Sequence, residues 1–153
     1  KTSGRRTLMI IPDVNLWIYA HRQEDPTHSF YRHWIETIMN GDKAVGLSLL
    51  TATAFVSIVT HQNFPPQPTP LRQAIGVIDD LKNFHNCRWL LPGQEHWKIT
   101  KMLCEKTGAT GKHVADAQHA AIAIEHRGTF VTRDRDFVKF KAHGLHVEIL
   151  EPV

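Results

Sequence analysis

Several structural devices are scarce in this chain, and each shortage closes off a class of protein. Only two cysteines occur in 153 residues, Cys87 and Cys104. That is too few for a disulfide framework and suits small buried hydrophobes in a reducing cytoplasm. No long apolar run exists either. The best early candidate, residues 8–20, is broken by Pro12, Asp13 and Asn15 and falls short of the ~20 residues a membrane-spanning helix needs. No signal peptide, internal repeat or low-complexity tract is visible. The H-E-x-x-H pattern of zinc hydrolases is missing, and the eleven histidines are scattered. Gly108-Ala-Thr-Gly-Lys112 fails as a phosphate loop, because Lys106 stands where the first glycine belongs and His113 where Ser or Thr is required.

Excess charge is scarce as well. The formal net charge of +3 comes from Lys1, Arg5 and Arg6, in a polar leader ahead of the first apolar run. Without them, fifteen basic residues face fifteen acidic ones. Net charge therefore gives little reason to infer a nucleic-acid partner. Residues 1–8 read as a leader, a tag remnant or a flexible extension, and 9–153 as one domain, long enough to bury a core without disulfides or a structural metal.

What is present is an alternation of short apolar strands with amphipathic helices. Strands are expected at 8–11, 44–47, 88–91, 129–132 and 146–150. Helices are expected at 14–21, from Thr27 to Asn40-Gly41, and at 49–59, 71–84, 95–106 and 113–126, with a helical turn at 134–140. Phe55, Ile58 and Val59, then Ile75, Ile78 and Leu81, then Trp97, Ile99, Met102 and Leu103 mark the expected buried faces. Thr27 is the expected N-cap of the second helix and Gly128 the expected C-cap of the last long one. Such alternation implies βαβ units and a mostly parallel sheet covered on both faces.

Most of the acids fall in turns or on solvated helix faces, but three places differ. Asp13 directly follows the first strand in Leu8-Met-Ile-Ile-Pro-Asp-Val-Asn15. Asp134 and Asp136 follow the fourth in Thr132-Arg-Asp-Arg-Asp-Phe137. Ligands of open α/β sheets collect at the carboxyl ends of strands, so two strands deliver carboxylates to one edge. Asp116 lies in the alanine-rich stretch His113-Val-Ala-Asp-Ala-Gln-His119. In the first turn of that helix it would compensate the helix dipole; among alanines, it also has room for close approach. Carboxylates ~4 Å apart repel by about 4 kcal/mol per pair at an effective dielectric of 20, and a divalent cation resolves that repulsion. An oxygen-only ligand set favours Mg²⁺ or Mn²⁺ over Zn²⁺. Such a site performs metal-dependent phosphodiester hydrolysis.

Pro12-Asp13-Val14-Asn15 after a strand, Asp116 through Glu125, and Thr132-Arg-Asp134-Arg-Asp136-Phe137 together resemble the three signature regions of PIN-domain ribonucleases, in particular the VapC-type toxins of bacterial toxin–antitoxin modules. The resemblance runs from Met9 to the C-terminus. It implies a three-layer α/β/α sandwich, Mg²⁺- or Mn²⁺-dependent endonucleolytic cleavage of RNA, a homodimer, and inhibition by a VapB-type antitoxin. It makes Asp13, Asp116 and Asp134 catalytic metal-binding acids, Asp136 an additional acid, and Asn15 and Thr132 supporting hydrogen-bonding groups. Arg133 and Arg135, interleaved with those acids, are candidates for RNA phosphates or for an antitoxin's acid, with plain surface solvation as the competing reading.

One departure stands out. Many PIN domains carry a glutamate early in the helix after strand two, where this chain has Ala54. A catalytically degenerate PIN-like module that binds RNA or a partner is the alternative this raises. An acid after strand one also begins aspartyl-phosphate phosphatase chemistry, but that class commonly wants a second Asp where Asn15 stands. His113 and His119 flank Asp116 three residues to either side and read as exposed polar positions or as metal or phosphate ligands. Trp34, Trp89 and Trp97 read as core or dimer packing, and Trp17 as that or a base-stacking ring.

Overall fold

Among the described residues, short aliphatic runs ended by Pro, Ser, Thr or a turn set five strands, and the helices between them dictate that these run parallel. The computed structural model describes residues 9–153; the proposed leader lies outside the described residues, as does Leu8 of the first expected strand. The strands are β1 (Met9–Pro12), β2 (Ala44–Ser48), β3 (Cys87–Leu90), β4 (Thr129–Thr132) and β5 (His146–Ile149). All neighbours pair in parallel, in the order β3-β2-β1-β4-β5.

Helices cover both faces. α1 (Val14–His21), α2 (His28–Met39), α3 (Leu49–Val59) and α4 (Leu71–Lys82) pack on one. α5 (His96–Thr107), α6 (Lys112–Glu125) and a 3-10 helix over Arg135–His143 pack on the other. Strand alternation shows in the cores. Val45 and Leu47 of β2 join Phe55, Val59 and Ile78, whereas Ile11 of β1 and Phe130 of β4 join Leu103, Ala120, Ile122 and Phe140. The expected three-layer α/β/α sandwich is the observed one.

The expected buried stripes hold except where an apolar residue sits one position off. α5 buries Thr100 and Leu103. Trp97 lies about 100° round from His96 and is 68% exposed. Ala74 and Ile78 carry α4, leaving Ile75 exposed, and Phe55 and Val59 carry α3, leaving Ile58 exposed. Thr27 occupies the N-cap position of α2 without capping it; its hydroxyl donates to Asp25 Oδ1 at 2.5 Å instead. The expected C-cap Gly128 lies one residue past the turn. Arg127 takes the left-handed conformation (φ 59°), and Gly128 donates its N–H to Ala123 O at 3.0 Å. A Cβ on Gly128 would sit 2.5 Å from Ile11 Cδ1, so this glycine serves the approach of α6 to β1. Among the described residues no helix is long and apolar enough to cross a membrane.

Candidate active site

The strand order places a reversal at β1. From there the chain winds outward to β2 and β3, then returns to the other side of β1 as β4 and β5. In an open α/β sheet the crevice outside the strand ends at such a reversal is where ligands bind. Asp13 leaves the end of β1 there, and Thr132, the last residue of β4, stands beside it.

Asp13 is bound into this corner from every side. Its N–H donates to Val131 O at 2.8 Å. Its Oδ1 accepts from the N–H of Val14 at 2.7 Å, so the side chain caps α1. Its Oδ2 accepts from the Thr132 hydroxyl at 2.7 Å, and Thr132 Oγ1 accepts from the N–H of Asp134 at 2.9 Å. One buried hydroxyl thus fixes the Asp13 carboxylate and the loop that carries Asp134. The carboxylate is 4% exposed, and among the described residues it makes no ion pair. Burial pushes its pKa up to about 6, against the pull of the hydrogen bonds from Thr132 and Val14; the charges of Asp134 and Asp116 push it further up.

Asp116 is the fifth residue of α6 and lies outside its first turn, so the helix-dipole reading of that acid falls away. Its Oδ2 lies 3.3 Å from His113 Nδ1. Among the described residues no group of three His, Cys, Asp or Glu side chains is gathered closely enough to chelate an ion. The chemistry of the donors still suits a hard divalent cation: Asp13 is a buried carboxylate that feels the charges of two further carboxylates, and among the described residues no Lys or Arg pairs with it.

Residues 10–142 match the PIN domain family. Ribonuclease VapC43 of Mycobacterium tuberculosis is 33% identical over 133 residues, 87% of this chain and 90% of the relative. The chain belongs to the PIN-domain family, among the VapC ribonucleases. Ribonuclease VapC25 of the same organism is 29% identical over 132 residues, 86% of this chain and 93% of its own. The fold also matches solved structures. M. tuberculosis VapC20, described as a sarcin–ricin-loop-cleaving toxin, superposes with a TM-score of 0.64 at 13% identity, over 94% of this chain and 99% of that one. VapBC2 of Rickettsia felis, bound to a DNA fragment from its promoter, gives 0.63 at 15% identity and the same coverage.

The other candidate residues of this PIN domain separate by position. Asp136 is exposed, its N–H bound by Asp134 Oδ1 at 2.9 Å, and it is not among the charges that act on Asp13. Asn15 is half-buried on the first turn of α1, and its side chain makes no hydrogen bond among the described residues. Arg135 pairs with Glu151 at 2.7 Å, whereas Arg133 lies over the ring of Tyr19. His113 and His119 are half-buried rather than exposed, and burial lowers the pKa of His119. Trp17 is a core residue, and Trp34 and Trp89 pack against the same cluster.

Ser48, at the end of β2, and Thr51 were not singled out for the site by sequence reasoning. Both are 2% exposed, with hydroxyls 3.2 Å apart and Ser48 Oγ accepting the Thr51 N–H at 3.0 Å. This is an N-cap for α3 on the same carboxyl edge as Asp13. Ala54 stands further along α3 and is half-buried. The signal available in the sequence was Ser48-Leu-Leu-Thr51, a serine ending an apolar run where a helix begins.

Proposed function

We propose that this chain is the toxin of a type II toxin–antitoxin pair and acts as a Mg²⁺- or Mn²⁺-dependent endoribonuclease. The observation that carries the reading is the buried Asp13 carboxylate, tied by Thr132 to the Asp134 loop, without an ion-pair partner among the described residues and within the field of Asp116 and Asp134. A buried carboxylate facing like charges is costly until a counter-charge arrives. Asp13, Asp116 and Asp134 would hold the cation, with Asp136 an outer acid and Asn15 and Thr132 in support. A bound Mg²⁺ or Mn²⁺ supplies Lewis-acid stabilisation of charge on a phosphoryl oxygen. The chain's own part is orientation. Thr132 locks one Asp13 rotamer, the Val14 N–H holds the other oxygen, and α6 brings Asp116 to the same edge.

Residues 9–153 act as one nuclease domain. The relatives' names support RNA as substrate, and the VapBC structures support a VapB-type antitoxin as partner. The two free cysteines support a reducing cytoplasm. A homodimer is the expected assembly, and sedimentation analysis of the purified chain measures it.

The test is cleavage of structured RNAs, a sarcin–ricin-loop hairpin among them. Wild type cleaves in Mg²⁺ or Mn²⁺ and stops in chelator. Asp13→Asn and Asp116→Asn lose cleavage while keeping the wild-type circular dichroism spectrum, and Asp136→Asn retains most of it. Undiminished cleavage by both Asp13→Asn and Asp116→Asn, or in excess chelator, contradicts the reading.

A further inference from the structure

An edge built of carboxylates has to hold a polyanion, and the loop that carries one of them also carries an arginine. Arg133 stands between Thr132, whose hydroxyl binds Asp13, and Asp134. Its guanidinium carbon lies 5.1 Å from the centre of the Tyr19 ring, a cation–π distance. Tyr19 stacks in turn on Tyr31, with ring centroids 5.2 Å apart and planes 26° from parallel. Tyr31 is fully buried, Phe30 packs edge-on against it, and its hydroxyl donates to Leu150 O at 2.8 Å. Leu150 closes the circuit by donating its N–H to Thr132 O at 2.8 Å. A chain of contacts through Leu150, Tyr31 and Tyr19 thus returns to the residue after Thr132.

Among the described residues Arg133 makes no ion pair. Asp25 feels its charge as the weakest of several influences, but the Asp25 oxygens are engaged by Thr27, through hydroxyl and N–H, and by Arg22 at 3.5 Å. Arg135, two residues on, is bound to Glu151. Two arginines that look alike in Arg133-Asp-Arg135 therefore differ: one is held on an aromatic seat with its charge uncommitted, the other is tied to a carboxylate.

We propose that Arg133 is the arm that grips a backbone phosphate of the RNA strand at this edge, with Tyr19 and Tyr31 as its rigid seat, and that Arg135 takes no part in binding RNA. The proposal rests on the endoribonuclease reading and names a residue that positions its substrate. Three considerations support it. The described body of the chain is charge-balanced, so affinity for RNA has to come from local cations. A planar guanidinium matches phosphate oxygens in a two-pronged geometry. Seating it in advance lowers the side-chain entropy lost on binding.

The test is fluorescence anisotropy of a labelled, mixed-sequence single-stranded RNA, titrated with the full chain in chelator across a salt series. Each phosphate contact on a single strand contributes about 0.7 to the slope of log affinity against log salt. Arg133→Gln is expected to weaken binding and to flatten that slope by about 0.7, a change that a merely structural defect would not give. Arg135→Gln leaves affinity and slope at wild type. Tyr19→Leu weakens binding and Tyr19→Phe restores it, since either aromatic ring seats the guanidinium. An unchanged slope in Arg133→Gln overturns the proposal, including the case where that variant loses only capture of an antitoxin. Equal effects of Arg133→Gln and Arg135→Gln, or wild type binding without salt dependence, overturn it too. Absence of cleavage by wild type together with the expected slopes would remove the nuclease reading and leave the arm standing.

Discussion

Asp13 carries opposing demands: burial favours its neutral form, while its proposed role needs the charge. A folded-state pKa of about 6 against 3.8 means that the native state holds the proton more tightly than the unfolded chain does. The stability linked to that proton is complete below pH 3.8 and is lost as the pH rises through about 6, amounting to roughly 2–3 kcal/mol. Metal-free Asp13→Asn is therefore expected to melt higher than metal-free wild type at pH 7.5, with the gap closing as the pH falls toward 4. Scanning calorimetry at several pH values measures this. The Asn amide keeps one acceptor for the Val14 N–H, and the Thr132 hydroxyl accepts where it formerly donated. Thr132→Val keeps the shape and removes the link. It strands the Asp134 N–H and takes a donor from Asp13, so urea unfolding should show a loss of about 1–3 kcal/mol, and cleavage should fall with it. Asp13 and Asp134 could be read from the sequence because each lies just past the carboxyl end of a strand, Asp13 next after β1 and Asp134 two residues after β4. The different fates of Arg133 and Arg135 could not, since what separates them is Tyr19 and Glu151, distant in the chain.

The end of α6 shows how one helix both positions and limits the site. Arg127 and Gly128 close it with the paired bonds Arg127 N–H to Ile124 O and Gly128 N–H to Ala123 O, at 3.2 and 3.0 Å. The glycine falls where the helix meets β1 rather than where φ is positive. Arg127→Gly relieves the left-handed strain and should stabilise by about 1 kcal/mol. Gly128→Ala should destabilise by more, since its Cβ meets Ile11. Urea midpoints of the two variants, moving in opposite directions, check both. Glu125 supplies a second device. α5 has no side-chain cap of its own, and the Glu125 carboxylate accepts the N–H groups of Gly93 and Glu95 at 2.9 and 3.1 Å. Glu125→Ala should cost about 1 kcal/mol, and amide exchange should rise across 93–98. The helices themselves were readable from their 3.6-residue periodicity. Trp97, Ile75 and Ile58 were misplaced because an apolar residue at the margin of a stripe carries the same signal as one inside it. Asp116 was misread by where the helix begins: starting at Lys112 rather than His113, α6 carries its acid past the first turn.

For the molecule as a whole, the parallel sheet was readable from strand–helix alternation, but the order β3-β2-β1-β4-β5 was not. Strand order depends on which crossovers turn back, and only contacts distant in the chain record that. The order matters because the reversal between β1 and β4 brings Asp13 and Asp134 to one crevice, and α6 adds Asp116. The departure at Ala54 leaves those carboxylates without the glutamate many PIN domains carry, so the cation should depend on each of the three. Calorimetric titration of Mn²⁺ into the purified chain tests this most directly. Wild type should bind Mn²⁺, and Asp13→Asn, Asp116→Asn and Asp134→Asn should each lose at least ten-fold in affinity, about 1.4 kcal/mol, while remaining folded. Mn²⁺ affinity unchanged in Asp116→Asn and Asp13→Asn, or no binding by wild type, would contradict a shared metal site at this edge.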